Sequence, residues 1–83
     1  MYTVSILRSA QKSLAAINRE DRNRIISALR LLATEPHPPG CKKLTDRTGW
    51  RIRVGAYRVI YEIYRDQLLI LVVTIGHRRE VYR

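Results

Sequence analysis

Several features that would assign a chain to a particular class of protein are scarce or missing in this sequence. Its one cysteine, Cys41, cannot form an internal disulfide, and no second cysteine or histidine pair gives it metal-ligand spacing. The longest apolar run, at 68–73, is far shorter than the roughly 18 residues that span a bilayer. No charged stretch, apolar region and small-residue cleavage site follow one another near the first residue. These absences predict a cytoplasmic protein with no metal, no cofactor and no membrane partner.

Acidic residues are also few, and this scarcity leaves a large positive charge. Seven Asp and Glu stand against sixteen Lys and Arg, so the formal net charge is +9 over 83 residues. Such a surplus repels itself and attracts polyanions. Most of the cations are arginines, whose planar guanidinium binds phosphate in a bidentate manner and stacks on bases. The composition therefore favours a nucleic-acid partner, although a GC-rich genome would enrich arginine without any functional reason.

Length and apolar content limit the chain to one folded unit. A chain of 83 residues supports a single hydrophobic core, and its 46% apolar residues are more than a disordered chain carries. We therefore predict one domain that covers residues 1–83.

The first half of the chain has the pattern of a strand followed by a helical hairpin. Residues 2–7 are rich in β-branched side chains, and Ser9 is placed to cap the helix that follows. Apolar residues then recur at helical spacing in two series, Ala10, Leu14 and Ile17, then Ile25, Ile26, Leu29, Leu32 and Ala33. The polar stretch 18–21 separates the helices, and Pro36 ends the second because proline cannot donate to the helix ladder.

From Trp50 onward the apolar period changes to two, which is typical of strands. Gly55-Ala56 interrupts the alternation, and glycine at the first central position suits a type II′ hairpin turn. That turn pairs Val54 with Tyr57, Arg53 with Arg58, Ile52 with Val59 and Arg51 with Ile60. Opposed residues share a face of the sheet, so Arg51, Arg53 and Arg58 stand together on one side. One face is predicted to be core and the other cationic.

A nearly continuous apolar strand follows the turn at 65–67. This strand, 68–75, is predicted to be central in the sheet and covered on much of both faces. It runs antiparallel to its neighbour, so His77 and the residues after it emerge near Arg53 and Arg58. The order β-α-α-β-β-β predicts an α+β fold in which an antiparallel sheet carries the N-terminal helical hairpin on one face.

Two segments of the chain resemble the signature of the RelE/ParE toxin superfamily of type II toxin–antitoxin systems. They are WRIRVGAYRVIYEI at 50–63 and TIGHRREVY at 74–82. The element order and the proline-containing loop after the second helix are similar to the family as well. The resemblance implies one of two functions on one fold. RelE-like members cleave messenger RNA in the ribosomal A site, and ParE-like members poison DNA gyrase without nuclease chemistry.

Resemblance to the RelE-like branch also implies a cleavage site. The family's basic and tyrosine positions are held here by Arg51, Arg53, Arg58, Arg78 and Tyr82. We therefore expect a metal-independent endoribonuclease that inhibits translation, with a ParE-like gyrase inhibitor as the alternative. RelE itself has lysines at the positions of Arg51 and Arg53, so a nuclease-dead binding protein is a further alternative.

Basic residues inside and outside this cleavage site are expected to bind RNA, Lys42 and Lys43 by a general attraction of phosphate. The RNA-binding residues that the sequence suggests are Lys42, Lys43, Arg51, Arg53, Arg58 and Arg79. Any single arginine also has a structural explanation, because a solvated strand face must be polar and charge discourages aggregation at sheet edges. Several arginines that converge at one end of a sheet are different, since like charges repel one another unless an anion binds there.

Cleavage of this kind needs a base for the ribose 2′-hydroxyl, positive charge at the crowded phosphate and an acid for the leaving 5′-oxygen. Arginine supplies only the charge, because it holds its proton above about pH 12. Some related toxins use a glutamate base and a histidine acid, which makes Glu62 and His77 candidates here. Tyr82 is the preferred candidate base, since surrounding cations can lower the pKa of a phenol.

The resemblance also implies partners. A RelB-like antitoxin is expected to wrap this domain with an acidic or apolar segment, and to assemble with it into a higher-order complex. Messenger RNA and the ribosome, with its ribosomal RNA, are the expected targets. No cofactor is expected, and the few carboxylates agree with that because Mg²⁺ is normally held by carboxylates.

Overall fold

Residues 1–77 form a five-stranded sheet with two helices on one of its faces, and the computed structural model describes these residues alone. The strands are β1 (Thr3–Ile6), β2 (Lys42–Lys43), β3 (Trp50–Val54), β4 (Tyr57–Tyr64) and β5 (Leu69–His77), and the helices are α1 (Arg8–Ala15) and α2 (Arg19–Leu32). A 3₁₀ turn at Arg65–Gln67 joins β4 to β5. The predicted α+β class is confirmed. No helix in this part of the chain is long and apolar enough to cross a membrane.

The sheet is mixed, whereas the sequence predicted an antiparallel one. Its strand order is β1-β5-β4-β3-β2, and β1 runs parallel to β5 while the other neighbours are antiparallel. Parallel neighbours need a long connection, which the two helices and the β2–β4 segment supply here. As predicted, β5 is central, with β1 on one side and β4 on the other. The short edge strand β2 was not predicted, because two lysines carry no alternating pattern.

Helix α2 has a side-chain cap and α1 has none. The Asn18 side chain accepts a hydrogen bond from the backbone N–H of Asp21 at 2.9 Å, which satisfies one free donor of the first turn of α2. The predicted cap at Ser9 is wrong, since α1 begins at Arg8 and Leu7 occupies the cap position. The Leu7 N–H donates to the Val72 carbonyl at 2.9 Å, so the chain leaves the sheet directly into the helix.

The β3–β4 hairpin has the predicted register in all four pairs. Gly55 has a φ of 59°, and Ala56 does not share this left-handed region, as a type II′ turn requires. A bulge interrupts the next ladder, because Ile60 pairs with Thr74 and Tyr61 with Val72, which leaves Val73 as an extra residue.

The bulge explains the continuous apolar pattern of β5. Val72 and Ile75 are an odd number of residues apart, yet both are buried in the core between sheet and helices. Strict alternation would place them on opposite faces. The extra residue places Val72 and Ile75 on the same face of the sheet. It therefore also determines which face each side chain at the end of β5 occupies.

The core lies between the helices and one face of the sheet. Its fully buried members include Ile25, Leu32, Val59, Tyr61, Ile70 and Val72. Tyr61 is the largest of them, and its hydroxyl donates to the Pro36 carbonyl at 2.7 Å. This hydrogen bond joins the loop after α2 to the centre of the sheet, and burial raises the pKa of Tyr61.

Candidate nucleic-acid interface

Four basic side chains lie on the face of the sheet that the helices leave bare. Arg53 opposes Arg58 across β3 and β4, and Lys42 opposes Arg51 across β2 and β3. Directly opposed residues share a face, and Ile52 between the two β3 arginines is buried against the helices. Lys42, Arg51, Arg53 and Arg58 therefore occupy one face over three adjacent strands, and we name them the basic patch.

The basic patch is exposed to solvent at the edge of the sheet and buried toward the centre of the sheet. Lys42 and Arg53 are exposed and Arg51 is half-buried, whereas Arg58 is only 5% exposed. Ile60, on the same face as Arg58, is also 5% exposed and lies outside the main core cluster. The sequence predicted that this face is cationic, but it did not predict that Arg58 and Ile60 of β4 are buried. Burial restricts the rotamers of Arg58, so this guanidinium is held in place before any ligand arrives.

A recess of about 230 Å³ lies in the exposed half of the patch, lined by Gly40, Lys42, Arg51 and Arg53. Within residues 1–77 no carboxylate comes within ion-pair distance of these three cations. An ion pair is described on α2, where Arg24 lies 3.8 Å from Asp21. An anion in the recess would therefore meet positive charge that no described carboxylate compensates.

Lys43 lies on the opposite face of the sheet from its neighbour Lys42. It opposes Trp50, and the Trp50 side chain packs against the core, so Lys43 lies on the helix side of the sheet. There it lines a second recess of about 670 Å³ together with Arg47, Trp50 and Arg65. The two lysines that the sequence grouped as RNA-binding are thus divided between two recesses on opposite sides of the edge strand.

His77 does not reach the basic patch with its side chain. Arg58 opposes Gly76, while His77 opposes Tyr57, and the two rings meet edge to face with centroids 5.8 Å apart. His77 also lines a recess of about 590 Å³ with Asn18 of the α2 cap, which places it on the helix side. The backbone of His77 is near Arg58 as predicted, but its imidazole is on the other face.

Glu62 shares the bare face but lies far along it. Four residues of β4 separate it from Arg58, which is roughly 13 Å at strand spacing. Its carboxylate accepts a hydrogen bond from the Tyr64 hydroxyl at 2.5 Å, and this bond raises the pKa of Tyr64. Glu62 is therefore engaged at the opposite end of the strand from Arg58.

Three predicted site residues, Arg78, Arg79 and Tyr82, lie outside the residues that the structure describes. Of the other predictions, the structure brings Lys42, Arg51, Arg53 and Arg58 together and leaves Lys43, Glu62 and His77 apart.

The family model for the ParE toxin of type II toxin–antitoxin systems matches residues 4–82. The chain belongs to this family. The predicted membership of the RelE/ParE superfamily is thereby confirmed, and the relatives of this toxin are RelE-like.

A RelE-like toxin protein of Escherichia coli is 25% identical over 79 residues, which are 93% of this chain and 83% of that protein. RelE in the archaeal RelE–RelB complex of Pyrococcus horikoshii is 26% identical, with a TM-score of 0.84 over 93% of this chain and 94% of that one. The RelBE2 toxin–antitoxin complex of Mycobacterium tuberculosis matches with a TM-score of 0.82 at 24% identity, covering 93% and 98% of the chains. The toxin thus has the RelE-like fold over nearly its whole length.

The position of Lys42 in the basic patch was not predicted from the sequence. The signal was weak, because a two-residue strand has no period, but the Pro38-Pro39-Gly40 loop that follows α2 returns the chain toward the sheet. Pairing of that returning segment with β3 places Lys42 beside Arg51.

Proposed function

We propose that this toxin is a metal-independent endoribonuclease that cleaves messenger RNA in the ribosomal A site and so inhibits translation. The observation that carries the proposal is the basic patch, in which Lys42, Arg51 and Arg53 surround a recess without a described carboxylate partner. The recess is smaller than the roughly 300 Å³ at which pockets for whole small molecules begin. It therefore suits a phosphodiester group of an RNA strand better than a free nucleotide.

The patch supplies the charge that the reaction requires. In strand cleavage the ribose 2′-oxygen attacks the adjacent phosphorus, and negative charge accumulates on the phosphate oxygens in the transition state. Arg51 and Arg53 project from alternate positions of one strand, so two guanidinium groups can donate to those oxygens from one side. Arg58 is fixed by burial beside Arg53, and a preorganised donor costs no reordering when the charge develops. Arg78 and Tyr82 stay predicted members of the same site.

The second recess extends the footprint on RNA. Lys43, Arg47 and Arg65 line it beside Trp50, so positive charge continues around the edge strand from the bare face to the helix side. A toxin that acts on a ribosome meets ribosomal RNA on more than one side. We assign this recess, with Arg79 as a further predicted contact, to sequence-independent contacts with RNA phosphates.

A RelB-like antitoxin is the proposed partner, since the structural relatives are RelE–RelB and RelBE2 complexes. Leu31 of α2 is 62% exposed and lines a mostly apolar groove of about 220 Å³ that Arg53 also lines. An antitoxin segment with apolar residues followed by acidic ones would fill the groove and neutralise the patch. Such a segment would inactivate the toxin by occupying the place of the phosphate, and the two chains are expected to form a higher-order complex.

A ParE-like gyrase inhibitor is the second candidate function. The observation that favours it is the family model itself, which describes the ParE toxin. In that case the toxin would be a binding protein, and the basic patch would contact gyrase or its DNA instead of messenger RNA.

Controlled expression in bacteria followed by primer extension on cellular messenger RNA tests the proposal. Wild-type toxin is expected to create new 5′ ends inside translated regions, and Arg53→Ala is expected to abolish most of them. Arg8→Ala is the matched control, because Arg8 is exposed at the start of α1 beside β1, at the opposite edge of the sheet from β2. It should cleave like wild type.

Growth arrest with intact messages would reject the nuclease. A supercoiling assay with purified gyrase and no ribosomes then decides for the alternative, which requires that wild-type toxin blocks supercoiling.

A further inference from the structure

The basic patch lacks an obvious donor for the proton that the leaving oxygen needs. Arginine holds its proton too firmly to act as a general acid near neutral pH. The histidine that the sequence suggested, His77, faces Tyr57 on the helix side, and Glu62 lies roughly 13 Å along β4 from Arg58. Among residues 1–77, Lys42 is therefore the one side chain lining the recess, apart from the two arginines, that carries a proton to donate.

The position of Lys42 suits proton transfer to a phosphate held by the arginines. Lys42 opposes Arg51, and opposed Cα atoms in an antiparallel pair are about 4.5–5.5 Å apart. Its side chain lines the same recess as Arg51 and Arg53, with Gly40 forming the wall beside it. A phosphodiester bound by the two arginines would therefore have the lysine ammonium on the β2 side.

We propose that Lys42 is the general acid of RNA cleavage, an inference that rests on the proposed nuclease function. The 2′-oxygen forms a bond to phosphorus while its proton passes to a general base, for which the Tyr82 phenolate is the expectation. The bond from phosphorus to the 5′-oxygen breaks, and a proton from the Lys42 Nζ goes to that oxygen. The products are a 2′,3′-cyclic phosphate and a 5′-hydroxyl, and Lys42 regains a proton from water.

An ammonium group is better suited to the acid step than to the base step. Lysine is protonated at neutral pH in water, so the proton is present at the start of the reaction. The departing alkoxide is a far stronger base than an amine and takes the proton as the bond breaks. The ammonium charge also stabilises the phosphate before transfer. The neighbouring Lys43 cannot substitute for it, because Lys43 lies on the other side of the sheet.

Bridging-sulfur RNA separates proton donation from charge. Purified full-length toxin would be mixed with ribosomes programmed so that one A-site phosphodiester carries either the normal 5′-oxygen or a 5′-sulfur. A thiolate leaves without protonation, so loss of the general acid matters for the oxygen substrate alone. Single-turnover rates would be measured for wild type, Lys42→Ala, Lys42→Arg, Arg53→Ala and the control Arg8→Ala.

Lys42→Ala and Lys42→Arg are expected to slow cleavage of the oxygen substrate by about 10²–10⁴-fold, the usual contribution of a general acid. Both should cleave the sulfur substrate within about tenfold of wild type, and Lys42→Arg should fail on oxygen although it keeps the charge. Arg53→Ala should be slow on both substrates, because it removes phosphate binding. Arg8→Ala should match wild type on both.

Two results would overturn the assignment while the nuclease stands. Equal slowing of both substrates in Lys42→Ala would mean that Lys42 only binds phosphate, and unchanged rates would mean that it takes no part. Circular dichroism of each variant guards against unfolding, which the exposed edge position of Lys42 makes a small risk. If wild-type toxin cleaves neither substrate, the nuclease function itself fails and this inference fails with it.

Discussion

The two faces of strand β3 differ completely although they alternate residue by residue. Ile52 is buried against the helices, while Arg51 and Arg53 on either side of it belong to the basic patch. One face therefore holds the fold together and the other concentrates positive charge. A chain of this size thus builds a stable core and a positively charged surface from the same five residues, because the two faces of a sheet are only one strand thickness apart.

The division between the faces is not complete, and the exception lies in β4. Arg58 and Ile60 are on the charged face yet are buried. Arg58 therefore contributes to packing as well as to the positive charge of the face, and its removal would disturb both. The exposed residues of β2 and β3 are the ones whose replacement separates function from stability.

The largest effect is expected from the helix-covered face. Tyr61→Ala should lower the free energy of unfolding by about 3–5 kcal/mol, since it removes the largest fully buried side chain and leaves a cavity. Urea denaturation followed by circular dichroism measures this. A cost below about 1 kcal/mol would contradict the assignment of this face as the core.

On the bare face, a substitution is expected to lower activity and to leave stability nearly unchanged. Arg51→Ala should lower the rate of RNA cleavage by about 10²–10³-fold, because it removes one donor to the transition-state phosphate. Its free energy of unfolding should stay within about 0.5 kcal/mol of wild type, since the side chain is outside the core. Cleavage on programmed ribosomes and urea denaturation of the same preparation test both statements. Equal activity of Arg51→Ala and Arg8→Ala would mean that the patch has no special role.

Helix capping provides a smaller effect with an internal control. Asn18→Ala should destabilise the protein by about 1 kcal/mol, because it removes the hydrogen bond to the Asp21 N–H. Ser9→Ala should change stability by less than about 0.5 kcal/mol, since Ser9 is inside α1 and caps nothing. A larger loss in Ser9→Ala than in Asn18→Ala would restore the cap that the sequence suggested.

The smallest effect concerns alkaline pH. Burial raises the pKa of Tyr61 above its ordinary value of 10.0, and Cys41 adds to the rise. The folded protein then binds the phenol proton more tightly than the unfolded chain does, so this stabilisation is present below pH 10 and is lost as pH rises beyond it. Tyr61→Phe should lose about 1 kcal/mol at neutral pH with the bond to Pro36, and its stability should fall less steeply above pH 10. Parallel slopes in the two proteins would contradict this.

Much of the fold could be predicted because it depends on local patterns. The Gly55 turn and the alternation around it determined the hairpin register, and the apolar run of β5 indicated a central strand. The parallel pairing of β1 could not be predicted, since partners far apart in the chain leave no local pattern. Neither could the pairing of β2, whose two lysines carry no period.

The site was predictable only in part, for a related reason. Alternation placed Arg51, Arg53 and Arg58 on one face correctly, but it contains no information about what covers a face, so the burial of Arg58 was missed. The side of His77 depends on the bulge at Val73, which a sequence pattern cannot locate. Lys42 entered the patch through β2, the strand that the pattern did not reveal.

The proposed function requires that the bare face of the sheet acts on messenger RNA. The most direct test is cleavage of an end-labelled message on purified ribosomes by wild-type toxin, Arg53→Glu and Arg8→Glu, with gyrase supercoiling measured alongside. We expect cuts in the A-site codon with wild type and Arg8→Glu, none with Arg53→Glu, and no effect on supercoiling. An intact message together with blocked supercoiling would contradict it.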